Sequence, residues 1–398
     1  MSANPEVLPA ASGFPAPLRP EAEHLENSQI QEIWEMGFGQ QDVIGLWVGE
    51  GDLPTPDFIS EAAVASLRAG ETHYTPKRGL DELRQALADY HARLHGIAPD
   101  MERITVTSSG MTAIVMILQA ILRPGEKVVV VSPVWPNIVS AVEIAGGEVV
   151  PLLLDLQPDG GFRLDLDKLA DALDENTRAV FIASPGNPTG WMMEAEEQRA
   201  VMDLLRGRNI WLLADEVYHR ITFDRPDAPS FLSQAGPEDA LLVINSFSKP
   251  WAMTGWRIGW IVHPPSVAEP FNRLIEFLTS GGQTFLQRGC LAAITQGDDF
   301  VAEMVERCRQ SGEIVYAGLG DLPRVTIAKP KAAFYSFFKV EGVTDSLAYT
   351  KRILRDAKVG LAPGTAFGPG GEGYFRLCFA SAPERVAQAV ERLRPLLS

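Results

Sequence analysis

From about residue 105 to residue 263 the chain repeats one pattern. A short apolar run is followed by a segment with apolar residues at helical spacing. ITVTSS leads into MTAIVMILQAIL, KVVVVSP leads towards AVEIAGG, EVVPLLL precedes DLDKLADAL, and RAVFIASP precedes EEQRAVMDLLRG. IWLLADE then ends at an acidic pair, ALLVINSFS runs to Lys249, and RIGWIV adds one more run. β-rich runs alternating with helices imply a mainly parallel sheet, because parallel neighbours need a crossover and the crossover helices cover both faces. The expected fold is α/β: a large domain with a mainly parallel mixed sheet covered by helices, plus a smaller α+β domain.

The smaller domain is read from the pattern after about residue 280. A helix is followed by AAFYSFFKV as a strand, a helix, the Gly-rich loop APGTAFGPGGEG, the strand YFRLCFA and a last helix. Near the other end, Ile30, Ile33, Trp34 and Met36 recur at helical spacing and predict a helix from about Ser28 to Gly37. The Pro-, Ala- and Ser-rich start predicts a flexible arm over residues 1–20. The expected division is then residues 21–50 joining the small domain, 51–285 as the large domain and 286–398 as the small one.

Open sheets of this kind bind ligands beyond the carboxyl ends of their strands. Polar groups gather where predicted strands end, at residues 108–110, 184–187, 215–218 and 246–249. Four such clusters at one edge point to a single site.

Composition narrows the function classes. With 398 residues the chain exceeds one typical core, and its 46% hydrophobic content is that of a folded protein. A formal net charge of −16 opposes binding to nucleic acid or anionic membranes. Three widely spaced cysteines, Cys290, Cys308 and Cys378, give neither a disulfide framework nor a CxxC pair. The first residues lack a basic start and apolar core, and no apolar run reaches bilayer length. A cytoplasmic protein is expected.

The segment SFSKPWAMTGWRIGW (246–260) carries the sharpest chemistry. A lysine attacks a carbonyl to form an imine when its surroundings keep part of it neutral. Hydroxyls and an arginine make an anion cradle, since guanidinium matches phosphate bidentately. Read by itself, the segment equally suits a surface lysine beside a structural arginine in a loop.

This segment resembles the lysine signature of the class I/II aminotransferases, which belong to fold type I of the pyridoxal-phosphate enzymes. The resemblance runs from LWVGEGDLPTP to the terminal helix, with several motifs in the family's order. It implies pyridoxal 5'-phosphate as cofactor, carried on Lys249 as a Schiff base, with Ser246, Ser248 and Arg257 holding its phosphate. TSSGMTA (107–113) resembles the strand-to-helix turn whose N–H groups, here at Ser109, Gly110 and Met111, bind the same phosphate; free amides at a helix start favour an anion in any case. LLADEVYHR (212–220) implies that Asp215 pairs with the pyridine nitrogen and that Tyr218 hydrogen-bonds the phenolic oxygen. ASPGNPTG (183–190) implies that Asn187 donates to that oxygen. Trp135 in SPVWPN matches the aromatic that stacks on the ring, and Arg376 in YFRLCFA the arginine that grips the substrate α-carboxylate, with Gly49 assisting. HYTPKRGLDELRQAL (73–87) implies that Tyr74 reaches the phosphate in a neighbouring subunit of a homodimer. The implied activity moves an α-amino group from an amino acid to a 2-oxo acid in a ping-pong cycle, with Lys249 as anchor and general acid–base.

Two departures stand out. Some aspartate-type relatives carry a lysine for a distal carboxylate where this chain has Met111, which favours a neutral or aromatic donor over a strictly aspartate one. The usual GEPD reads GEGD. Rival readings are β-elimination of the cystathionine β-lyase kind, aminocyclopropane-carboxylate synthase chemistry, and a regulator that keeps the domain as a sensor. His91 and His95 lie four apart in LADYHARLHG, but no glutamate follows the first and no third ligand is evident. They are expected on a helix surface, and no metal is expected.

Overall fold

The computed structural model describes residues 18–23 and 25–398. Positions 1–17 of the expected arm lie outside them. Seven strands form the central sheet: β1 (Ile104–Thr107), β2 (Lys127–Ser132), β3 (Glu148–Leu153), β4 (Thr177–Ala183), β5 (Trp211–Asp215), β6 (Leu241–Ser246) and β7 (Gly259–Val262). Their order is β1-β7-β6-β5-β4-β2-β3, parallel except for β7, which runs antiparallel to both neighbours. Each coincides with an apolar run picked out above.

Both faces of this sheet are apolar, which is why the runs are continuous. Val129, Val131, Val180, Ile182, Leu212 and Val243 face one way, against the helices Asp81–His95, Ala195–Leu205 and Thr284–Gln296. Val128, Val130, Phe181, Leu213 and Ile244 face the other, under Gly110–Ile121, Asn137–Ile144 and Ala268–Leu278. Each such side chain contributes about 1.5–3 kcal/mol by leaving water.

A second core lies under a small antiparallel sheet that contains β8 (Tyr335–Val340) and β9 (Tyr374–Cys378). The helices Asp298–Leu319, Ser346–Ala357 and Pro383–Leu397 pack on it. The N-terminal helix spans Gln29–Gly37, with the Ser28 hydroxyl accepting from Gln31 N at its start. It leads into Ile44–Gly45, which pairs in parallel with Val359–Gly360. Among the described residues no helix is long and apolar enough to cross a membrane.

One expectation fails. His91 and His95 are not on a helix surface: His91 is fully buried, and the His95 side chain is nearly so. Four-residue spacing lines them up with Leu87 on the inward face, while Gln85, Asp89 and Arg93 take the outward one. His91 Nε2 accepts from Trp260 Nε1 at 3.0 Å, and burial lowers its pKa to about 3, so the ring is neutral. His95 Nδ1 lies 3.3 Å from Asp227. Among the described residues no group of three or more His, Cys, Asp or Glu is arranged to hold a metal ion.

Candidate active site

A cavity of about 450 Å³ opens where β1, β2, β4, β5 and β6 end, and it is closed from the other side by β8, β9 and the segment around Gly49. Its size suits a small organic ligand.

At one end lies an anion cradle. Ser246 Oγ donates to Ser248 Oγ at 2.9 Å, and Arg257 Nη1 donates to Ser248 Oγ at 3.3 Å. Arg257 sits in the left-handed region, at φ 56°, which turns its side chain back beside the strand ends. The helix Gly110–Ile121 begins here, so the N–H groups of Gly110 and Met111 border the cavity. β7 passes so close that a Cβ on Gly259 would fall 2.8 Å from Gly110 N, and only glycine permits that approach. Ser109 is held at φ 125°, a strained position for a residue with a Cβ, and its hydroxyl accepts from Thr112 N at 3.0 Å. The Ser109 side chain therefore caps the helix and is not part of the cavity lining.

The middle of the cavity holds the titratable groups. Asp215 ends β5, buried, with one oxygen accepting from Val217 N at 3.1 Å. Desolvation raises its pKa to about 6, opposed by that bond and by Lys249. Lys249 Nζ donates to Gly49 O at 2.6 Å, and burial lowers its pKa to about 8. Tyr218 lies beside it, with Lys249 Nζ 5.9 Å from the ring centre. The Tyr218 hydroxyl is buried and meets that of Tyr335 at 2.6 Å. Trp135 is half-buried in the wall.

At the far side Arg376 is almost fully buried. It donates to the Asn187 side-chain oxygen at 3.0 Å and to Trp47 O, and its guanidinium stacks 4.7 Å over Tyr335 and 4.8 Å over Phe367. These partners are all neutral. The guanidinium therefore has no counter-ion among them.

The residues present fit pyridoxal phosphate. A phosphate suits the hydroxyl, arginine and helix-start cradle, and a protonated ring nitrogen suits Asp215, whose buried carboxylate has a single fixed hydrogen bond. Twelve of the expected residues meet at this cavity. Tyr74 does not: it is 92% exposed, on a separate recess bordered by residues 279–285. Tyr335, Ile30, Trp34 and Val48 also line the cavity, and no motif in the sequence marks them. Ile30 and Trp34 had a signal, the apolar helix face, but it reads equally as core. Tyr335 lies within a strand buried at all positions but one, so nothing sets it apart from core.

Residues 41–393 match the model of the aminotransferase class I and II family. An aspartate aminotransferase of Pyrococcus horikoshii is 32% identical over 94% of this chain and 95% of its own length. An aromatic-amino-acid aminotransferase of Thermococcus litoralis is 32% identical over 94% of this chain and 97% of its own. The structure of a Thermus thermophilus aspartate aminotransferase with maleate superposes with a TM-score of 0.88 at 30% identity, covering 96% of this chain and 99% of that one. The architecture is that of the fold type I enzymes, and these matches do not favour a carbon–sulfur lyase. The chain belongs to the aminotransferase class I and II family and is an aminotransferase.

Proposed function

We propose that this enzyme binds pyridoxal 5'-phosphate at Lys249 and transfers the amino group of a neutral or aromatic amino acid to a 2-oxo acid. The observation that carries this reading is the buried Arg376, whose neutral partners leave it a carboxylate to bind, across the same cavity as Lys249 and Asp215.

When bound, the cofactor supplies an electron sink that makes the substrate α-proton acidic. The chain's own residues do the rest. Ser246, Ser248, Arg257 and the N–H groups at Gly110 and Met111 hold the phosphate, with Ser109 capping the helix that presents them. Asp215 keeps the ring nitrogen protonated. Tyr218 and Asn187 donate to the phenolic oxygen, and Trp135 lies against the ring. Arg376 fixes the α-carboxylate with its two-pronged fork, assisted at Gly49. Lys249 Nζ takes the proton from the substrate α-carbon, and a pKa near 8 suits a base at neutral pH.

A neutral or aromatic donor is supported by Met111, Ile30, Trp34 and Val48, which line the cavity without a basic group among them. A homodimer with shared sites is supported by Tyr74, 92% exposed, and Phe277, 85% exposed; Tyr74 would then complete the partner's phosphate site. The two sheets with their separate cores support a cofactor-binding domain followed by a small domain, with residues 21–50 joining the latter. The expected boundary at 285 falls inside the helix Thr284–Gln296, whose Cys290, Ala293 and Ile294 pack in the large-sheet core, so the division belongs after that helix. Three buried free cysteines suit the reducing cytoplasm.

The test is covalent mapping. After incubation with pyridoxal phosphate and borohydride reduction, peptide mass analysis should find the pyridoxyl group on Lys249. Label on other lysines alone would reject the reading.

A further inference from the structure

We infer that Tyr335 is a positioning residue for the transamination site, acting through its hydroxyl on the Tyr218 phenol. This rests on the cofactor reading above, in which Tyr218 donates to the phenolic oxygen.

Tyr335 begins β8, opposite Cys378 in the register, and is 1% exposed. Its hydroxyl lies 2.6 Å from that of Tyr218, with the ring centres 5.6 Å apart at a steep angle. Tyr218 follows β5 of the large sheet and Tyr335 belongs to the small one, so this hydrogen bond ties the two sheets together at the cavity. The same Tyr335 ring carries the Arg376 guanidinium on its face, 4.7 Å from the centre. One side chain thus touches the group proposed to meet the cofactor and the group proposed to meet the substrate carboxylate. The backbone is cut to fit it: a Cβ on Gly49 would overlap the Tyr335 hydroxyl.

A phenol has one proton to give. If Tyr218 directs its own proton to the cofactor oxygen, the proton between the two tyrosines belongs to Tyr335, which then donates to Tyr218. Accepting that bond makes Tyr218 a stronger donor, since chained hydrogen bonds polarise one another. A stronger donor at the phenolic oxygen favours the form of the lysine-bound cofactor that has lost its imine proton, because that form leaves more negative charge on the oxygen. The titratable groups facing the pair are Lys249, Asp215, Arg376 and Cys378. None of them is altered by Tyr335→Phe.

The experiment is a pH titration of the visible absorbance band of the holoenzyme in four forms: unsubstituted, Tyr335→Phe, Tyr218→Phe and the double variant. Tyr335→Phe should raise the midpoint by about half a pH unit, as expected for weakening one hydrogen bond. The same substitution in the Tyr218→Phe background should leave the midpoint unchanged. Equal midpoints for the unsubstituted and Tyr335→Phe enzymes overturn the inference alone, as does an equal shift in both backgrounds. Lack of a lysine-dependent band in the unsubstituted protein overturns the cofactor reading, and the inference with it.

Discussion

Arg376 of β9 donates from Nη1 to the Asn187 side-chain oxygen, 3.0 Å away in the loop that follows β4. The bond fixes the guanidinium plane and leaves the asparagine N–H₂ group to the cavity.

Replacing Arg376 by lysine keeps the charge but removes the fork. Losing one charge-assisted hydrogen bond costs about 2 kcal/mol, or roughly 30-fold in kcat/KM, most of it in KM. Steady-state kinetics with the best donor checks this; an unchanged KM would remove Arg376 from the carboxylate site.

Lys249 is depressed to about 8 from 10.5 by burial. Only the neutral amine attacks an aldehyde, so capture of pyridoxal phosphate by cofactor-free protein should quicken up to about pH 8 and then level. A lysine with an ordinary pKa would keep gaining to about pH 10. Stopped-flow absorbance between pH 6 and 10 distinguishes the two.

Asp215 is raised by desolvation to about 6, against 3.8. Its contribution to the stability of the cofactor-free protein is therefore fully present below about pH 3.8 and lost as pH rises through about 6. Asp215→Asn should raise the thermal midpoint of the cofactor-free protein by a few degrees at pH 7.5. The same change should weaken cofactor binding by about 2 kcal/mol, roughly 30-fold, by removing the partner of the ring nitrogen. Calorimetry and cofactor titration test the two signs separately.

The position of Met111 carries no basic side chain for a distal carboxylate, so phenylalanine or leucine should outrun aspartate as donor. Met111→Lys should improve kcat/KM for aspartate about tenfold and lower that for the neutral donor. No change in the ratio would place the substrate side chain elsewhere.

The sheet was legible because both of its faces are covered: Val128 to Val131 alternate between two apolar layers, and the resulting run cannot be mistaken for a solvated strand. The strand-end clusters were legible for the same reason, since Asp215 and Ser246 are the last residues before the runs break. What stayed hidden depends on partners far apart in the chain. Tyr335 meets Tyr218 across 117 positions, and it stands in a strand buried at every position but Lys339, where an aromatic reads as core. His91 looked like a surface residue because its partner, Trp260, comes from a distant strand. Trp34 faces the cavity only because the N-terminal helix folds back beside Val48.

The most direct test is an absorbance titration of the purified holoenzyme with single amino acids, alongside Lys249→Ala. The account predicts a visible band in the unsubstituted protein that gives way to a shorter-wavelength pyridoxamine phosphate band with a neutral or aromatic amino acid and returns with a 2-oxo acid. Lys249→Ala should lack the lysine-linked band and the turnover. A protein without such a band after incubation with pyridoxal phosphate, or a Lys249→Ala variant that behaves as the unsubstituted one does, would contradict it.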